Sequence, residues 1–389
     1  MKKKILFVLN QMGAGGIAKS LSNLLYYLEK YKNQYEVDLF LLRKDGCYMA
    51  DIPEFVNVIE AKGTLKLFGA SQKDTKKFGK WQTFKRFCVA GFSKLFTNYL
   101  PLKIGAKENK LKTEYDCAIS FAHTQGNRVM AAGSVEFVLW GVNAKKKFCF
   151  IHGDAVKENL LNKSNVKKFK QFDRLFSVSK SCAMQVAEHC PELAPISDYL
   201  YNTQINDVIL QKSTEFNVNF KKGFNLLMVS RLEKEKAHLR FLPIVKKLHE
   251  EGIEFNLNIV GGGSLKQNIE SYVAENNMQE YVTLYGEQKN PYPYFKEADL
   301  FVLVSLYESF GISLIEAMLL STPVFTTKTC SANEVVGNYG FICENNEQAI
   351  YDNLKQVLKN KQWIEEKKKL LTSYNYDNDK IVQKLLNLI

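Results

Sequence analysis

No window of about 18 consecutive apolar residues occurs anywhere in the 389-residue chain, so no helix of it is expected to cross a bilayer. The start, Met1-Lys-Lys-Lys-Ile-Leu-Phe-Val-Leu-Asn10, has the charge of a secretory leader but only five apolar residues before Asn10-Gln11, and no small-residue cleavage site. It reads as a first buried strand. The eight cysteines form no C-x-x-C pair and have no histidines at zinc spacing. Most, such as Cys117, Cys149 and Cys343, stand in apolar surroundings, which suits reduced core thiols and a cytoplasmic setting. There is no short internal repeat and no low-complexity tract, which leaves out solenoids and extended linkers. No nucleic-acid-binding motif is recognisable, so nucleic acid is not an expected partner.

What is present is an ordinary globular composition, 46% apolar, on a chain long enough for two domains. Short apolar runs alternate with helical periodicity. In the first half, strands are expected at 5–9, 37–42, 117–121, 147–151 and 174–178, with a helix over 17–28 through Leu21, Leu24, Leu25 and Leu28. The second half repeats the theme, with strands expected at 224–229, 255–260, 281–285, 299–304 and 323–326. A linker falls around 201–207. Strands alternating with helices imply parallel sheets covered on both faces. The fold class is therefore α/β, two Rossmann-like domains facing each other across a cleft, with ligands at the carboxyl ends of the strands.

The net charge of +12 is concentrated. Residues 62–112 hold thirteen Lys/Arg against Asp74 and Glu108, which accounts for eleven of those twelve charges. The same segment carries eight aromatics: Phe68, Phe78, Trp81, Phe84, Phe87, Phe92, Phe96 and Tyr99. Trp81, Phe84, Cys88, Phe92, Leu95 and Tyr99 recur at three- and four-residue steps, with Lys85, Arg86 and Lys94 largely off that stripe. A basic amphipathic helix of this kind suits the anionic inner face of a membrane. The competing expectation is that the stripe packs on its own domain.

The most informative stretch is Glu308-Ser-Phe-Gly-Ile-Ser-Leu-Ile-Glu-Ala-Met318. It follows the apolar run 298–305, and Ser309-Phe310-Gly311 turns from strand to helix. The N–H groups of such a helix start, with the positive end of its dipole, make an anion site to which Ile312 also belongs. Glu308 at the strand exit can reach a sugar hydroxyl. Glu316, about two turns further on, can accept from a ribose diol. A phosphate site flanked by carboxylates suits a nucleotide-sugar.

This segment resembles the E-x7-E motif of retaining glycosyltransferases of the GT-B fold, in the GT4 class (glycosyl transferases group 1), bacterial surface-polysaccharide type. The likeness continues in order through Leu227-Met-Val-Ser-Arg-Leu-Glu-Lys-Glu-Lys236, Leu257-Asn-Ile-Val-Gly-Gly-Gly-Ser264 and Val282-Thr-Leu-Tyr-Gly286. It implies an acceptor-side domain of residues 1–203, with a last helix, 376–389, crossing back onto it. Residues 204–375 would be the nucleotide-sugar domain. It further implies a front-face transfer without a protein nucleophile and without a metal or other cofactor, the leaving phosphate taking the acceptor proton. Domain closure would exclude water. The family has glycine where Ser230 and Ala237 stand here; both replacements are small.

On this resemblance Arg231 and Lys236 grip the donor diphosphate and stabilise the charge that grows on it. Ser309, Phe310, Gly311 and Ile312 hold the phosphates, Glu316 the ribose, and Glu308 the transferred sugar. The turn Gly13-Ala-Gly15-Gly16 after the first strand would close over donor and acceptor. A dinucleotide site is the competitor there, but neither Asp38 nor Asp45 stands where its ribose-binding acid belongs. His152 would reach the transferred sugar. Asp154 would orient it, touch the acceptor, or cap the following turn. Asn202 matches a family asparagine at the linker. Asp377-Asn-Asp379 has the spacing of a manganese motif from a different transferase fold and reads as structural.

The expected protein is a cytoplasmic glycosyltransferase, peripheral on the inner membrane face. It would move a sugar, most readily from a UDP-sugar, to a saccharide or lipid-linked acceptor for surface polysaccharide. A sugar-nucleotide epimerase or hydrolase of the same fold, and a non-catalytic assembly partner, are the alternatives. Retention of Glu308, Glu316, Arg231 and Lys236 argues against the latter.

Overall fold

The computed structural model describes residues 2–13, 15–70, 79–130 and 132–389. Ala14 of the first glycine turn, and Asp74 and Phe78 of the basic segment, lie outside these. The chain divides into two compact units, Met1–Thr203 with Asn378–Ile389, and Gln204–Asp377.

Among the described residues the first unit is built on seven parallel strands: β1 (Lys3–Leu9), β2 (Tyr35–Leu41), β3 (Val56–Glu60), β4 (Glu114–Ser120), β5 (Asn143–Ile151), β6 (Arg174–Ser177) and β7 (Ser197–Tyr199). Their order is β3-β2-β1-β4-β5-β6-β7. The second unit has six: β8 (Asn225–Val229), β9 (Asn256–Val260), β10 (Val282–Gly286), β11 (Leu300–Leu303), β12 (Val324–Thr327) and β13 (Gly340–Cys343), in the order β10-β9-β8-β11-β12-β13. Both orders are the doubly wound Rossmann arrangement, and all recorded pairings are parallel.

The continuous apolar runs fall on central strands because both faces of such strands are covered. Ile5–Leu9 of β1 is buried without interruption, and β11 likewise. The helix Gly16–Leu28 follows β1 and turns Leu21, Leu24, Leu25 and Leu28 into the first core. Three strands, β3, β7 and β13, have no counterpart in the sequence reading. Each closes a sheet edge and is only partly buried, so its apolar signal is diluted. Asp379 lies in the first turn of the last helix, Asn378–Leu388, and accepts from Lys30 Nζ at 2.8 Å.

None of the eight cysteines is in a disulfide; Cys117, Cys149 and Cys343 are buried as the sequence suggests, and Cys47 and Cys88 are exposed. Among the described residues no helix is long and apolar enough to cross a membrane.

The basic segment forms the helices Lys80–Leu95 and Tyr99–Glu108. The first buries only Ser93. Trp81, Phe84, Phe87, Leu95 and Phe96 are each more than half exposed. The aromatic stripe is therefore not covered by the described part of its own unit.

Candidate functional site

In the second unit β8 and β11 lie side by side, and the sheet continues to β9 on one flank and β12 on the other. This is the switch point beyond which open parallel sheets bind ligands. Arg231 and Lys236 leave β8 there, and Glu308 leaves β11. The two exits are joined by the Leu306 amide, which donates to the Glu235 carbonyl at 2.8 Å.

Lys236 Nζ donates to Glu308 Oε2 at 2.5 Å, and both side chains are 16% exposed. Removing either partner from so sheltered a pair costs roughly 3–5 kcal/mol, because the other charge is left uncompensated. Ser305 Oγ adds a bond to the same carboxylate oxygen at 3.3 Å. The loop behind it is pinned by Thr327 Oγ1 to the Ser305 carbonyl at 2.9 Å and by Asn345 Nδ2 to the carbonyls of Ser305 and Leu306. Arg231 is held differently. Its guanidinium donates to Glu235 Oε1 at 2.8 Å from a side chain 63% exposed. An exposed pair of this kind contributes little and exchanges readily for a ligand.

Gly311 precedes the helix Ile312–Leu319 with φ 79° and ψ 59°, a left-handed geometry that glycine adopts without penalty. A Cβ there would press on the Leu314 side chain. Phe310 is buried and anchors the turn, and Ser309 is half-buried. The first amides of the helix have no acceptor within it. Glu316 lies in its second turn, almost buried, and accepts from the Tyr292 hydroxyl at 3.0 Å. Tyr292 gave no signal in the sequence; it begins the short helix Tyr292–Glu297, one strand earlier in the chain.

The two positions that depart from the family's glycines are accommodated in distinct ways. Ala237 takes φ 58° and ψ 31°, a left-handed conformation with a Cβ present. Ser230 Oγ lies 3.2 Å from Nε2 of the buried His238. Burial, reinforced by the Lys236 charge, pushes the His238 pKa down to about 4, so the ring is neutral at pH 7. The turn Gly261-Gly262-Gly263 packs beneath: the Leu232 amide donates to the Gly262 carbonyl at 2.9 Å, and a Cβ on Gly261 would collide with the Ser230 carbonyl. Glu233 accepts from the Ser264 hydroxyl and amide, and those bonds hold its pKa down.

In the first unit the corresponding neighbours are β1 and β4, with β5 next to β4. Gly15 precedes the helix that Gly16 begins, its carbonyl accepting from the Lys19 amide at 3.1 Å. Among the described residues, chain neighbours aside, nothing lies within 4 Å of where a Gly15 Cβ would be. His152 follows β5 directly and stacks near Phe150 and Phe121, with ring centroids 5.7 and 4.9 Å away. Burial, then the charge of His123, pushes its pKa down to about 3 against a backbone hydrogen bond at Phe121. Asp154 is buried, and its Oδ1 accepts from the amides of Val156 and Lys157 at 3.2 and 3.0 Å, the capping geometry open to it in the sequence. Asn202 accepts from Ser20 Oγ at 2.6 Å and so fastens the helix Gly16–Leu28. Lys236 and Glu308 are thus two predicted residues that the fold brings into direct contact. Among the described residues no group of three or more His, Cys, Asp or Glu side chains is placed to hold a metal.

Comparison with known proteins gives these sites a context. Residues 211–377 match the model of the family described as glycosyl transferases group 1. Over 165 residues the chain is 33% identical to a Campylobacter jejuni N-acetylgalactosamine-N,N'-diacetylbacillosaminyl-diphospho-undecaprenol 4-alpha-N-acetylgalactosaminyltransferase, covering 41% of this chain and 44% of that protein. It is 26% identical over 205 residues to an uncharacterized glycosyltransferase of Methanocaldococcus jannaschii, covering 50% and 49%. The chain thus spans about half the length of the curated relatives it matches. Among solved structures, Anabaena HepE in complex with UDP and glucose aligns over 99% of both chains with a TM-score of 0.66 and 15% identity. A S. aureus TarM complex with Fondaparinux, alpha-GlcNAc-glycerol and UDP aligns over 99% of both, with a TM-score of 0.68 and 13% identity. At such identities the likeness establishes the fold, which is GT-B.

Proposed function

We propose that this protein is a retaining, metal-independent glycosyltransferase of the GT4 class that moves a sugar from a nucleotide-sugar to a saccharide acceptor. The observation that carries the reading is the pairing of Lys236 with Glu308 across two strand exits, eight residues before Glu316, inside the segment that matches glycosyl transferases group 1. A donor diphosphate entering this site would take over Lys236 and the exchangeable Arg231. Their charge would offset the charge developing on the leaving group as the sugar–phosphate bond breaks. Released from Lys236, Glu308 would accept hydrogen bonds from the sugar. Glu316, braced by Tyr292, would accept from the ribose.

UDP is the favoured nucleotide, in keeping with the UDP bound by HepE and TarM. A lipid-linked acceptor in surface polysaccharide assembly is in keeping with the diphospho-undecaprenol substrate named for the Campylobacter relative. The exposed aromatic and basic helices would place the protein on the cytoplasmic membrane face. For that part, anionic vesicles at low salt should bind the protein, and combined Trp81→Ser, Phe87→Ser and Leu95→Ser should abolish the binding. Wild-type protein that ignores such vesicles removes the membrane from the account.

The reaction itself is tested by incubating the protein with UDP-, GDP-, dTDP- and ADP-sugars, with and without EDTA, and following donor hydrolysis. Slow cleavage of one donor, unchanged by EDTA, is expected. Conversion to an epimer, or cleavage that EDTA stops, contradicts the proposal.

A further inference from the structure

Where the chain leaves β11, side chains take four successive backbone carbonyls. Thr326 Oγ1 donates to the Leu303 carbonyl at 2.7 Å, Arg240 Nη2 to that of Val304 at 2.6 Å, and Thr327 Oγ1 to that of Ser305 at 2.9 Å. Asn345 Nδ2 reaches two of them, Ser305 at 3.1 Å and Leu306 at 3.0 Å. The recorded ladder between β11 and β12 ends at Leu303, opposite Thr326, while Val304 and Ser305 beyond it are buried. Buried carbonyls past the end of a ladder need donors from elsewhere. They come from three places: β12, the helix His238–Glu250, and the turn after β13.

Asn345 is the donor that spans two residues of the exit. It stands two residues past β13 and next to Asn346, whose side chain caps the helix Glu347–Lys359 by accepting from the Ala349 amide at 2.8 Å. Its backbone is therefore fixed on both sides. The Asn345 Oδ1 is buried and has no hydrogen-bond partner among the described residues. Turning the amide over would set Oδ1 against two carbonyl oxygens, all of them acceptors. The orientation that leaves Oδ1 unmatched is the one that holds the strand exit.

What the exit carries is Glu308. Ser305 Oγ donates to Glu308 Oε2, the oxygen that also accepts from Lys236. The Leu306 amide donates to the Glu235 carbonyl, one residue before Lys236. Ser305 and Leu306 thus join the two partners of the ion pair, and the carbonyls of both are held by Asn345. No recorded hydrogen bond of the Asn345 side chain reaches Glu308 or Lys236, so its influence on them runs through the backbone.

We propose that Asn345 is a positioning residue for Glu308, fixing Ser305 and Leu306 so that the carboxylate is preset against Lys236. The catalytic part of this rests on the glycosyltransferase reading. There Glu308 faces the transferred sugar, while Glu316 and Arg231 hold the nucleotide. Loss of Asn345 therefore acts on turnover more than on nucleotide affinity.

The test has one arm without donor and one with it. In the first, the coupling between Lys236 and Glu308 is measured by urea unfolding of Lys236→Met, Glu308→Gln and the double variant, with Asn345 present and with Asn345→Ala. The coupling, as a ratio of unfolding constants, should fall at least fivefold when Asn345 is lost. In the second, Asn345→Ala should lower kcat of donor cleavage at least fivefold and leave UDP affinity within twofold. Made in the Glu308→Gln background, the same substitution should change kcat no further. A merely structural role would lower Tm yet leave the coupling intact, and its effect on kcat would persist without Glu308; either result overturns the proposal. Should Asn345→Ala fail to fold, Asn345→Gln, which keeps the amide and moves it by one methylene, is read in the same way. If no nucleotide-sugar is cleaved by any variant, the glycosyltransferase reading falls, and the unfolding arm alone decides whether Asn345 governs the pair.

Discussion

The two units share the order of six of their strands and differ in chemistry at adjoining strand exits of the sheet. Beyond β8 and β11 the second unit gathers charge: Lys236 against Glu308, Arg231 against Glu235, and a nearly buried Glu316. Beyond β4 and β5 the first unit gathers two buried rings, His123 and His152, whose pKa values burial pushes down. A Rossmann sheet fixes where a ligand sits, and the side chains at the strand exits fix what it can be. Preset ion pairs suit an anion that can take over one partner.

The sharpest way to break this contrast is to remove charge from the second unit. Lys236→Ala should lower kcat of donor cleavage by about 10²–10³, the scale seen when one preorganised donor to a developing anion is lost. An unchanged kcat would deny Lys236 any part in stabilising the leaving group. Glu316→Ala should act on binding instead, weakening donor affinity by about 10- to 100-fold through the loss of a charged hydrogen bond of roughly 1.5–3 kcal/mol. Donor titration with kcat measured alongside separates the two.

Acid should act on the first unit and on His238 together. His123, His152 and His238 have folded pKa values below the unfolded value near 6.5, so the unfolded chain takes up protons first. Their contribution is complete above about pH 6.5 and is lost as pH falls from there toward the folded values near 4. For the buried His238 this is on the order of 2 kcal/mol at pH 5, and His238→Gln should flatten that part of a Tm-against-pH profile. The smallest effect is expected at Ala237. Replacing it with glycine removes left-handed strain and should stabilise by about 1 kcal/mol at most, offset in part by unfolded-chain entropy. A destabilised Ala237→Gly would show that the alanine Cβ is needed for packing.

How much of this could be read from the chain follows the same physics. Central strands announce themselves because burial on both faces leaves unbroken apolar runs, as in β1 and β11. The edge strands β3, β7 and β13 do not, since solvent on one side permits mixed residues. Glu308, Gly311 and Glu316 are legible as a local motif, for one strand–turn–helix positions all three. The contact of Lys236 with Glu308 bridges 72 residues and depends on β8 and β11 being neighbours, which no local pattern states. Tyr292 is silent for the same reason, 24 residues from its carboxylate.

The measurement that tests the central claim most directly is calorimetric titration of UDP, GDP, dTDP and ADP into the full chain in the presence of EDTA, repeated with Lys236→Met and Glu316→Gln. One nucleoside diphosphate, UDP by this account, should bind the wild type and bind each variant at least tenfold more weakly, with Tm changed little in Glu316→Gln. Failure of all four to bind, or affinity that neither substitution alters, would contradict the assignment of the β8–β11 exits as the donor site.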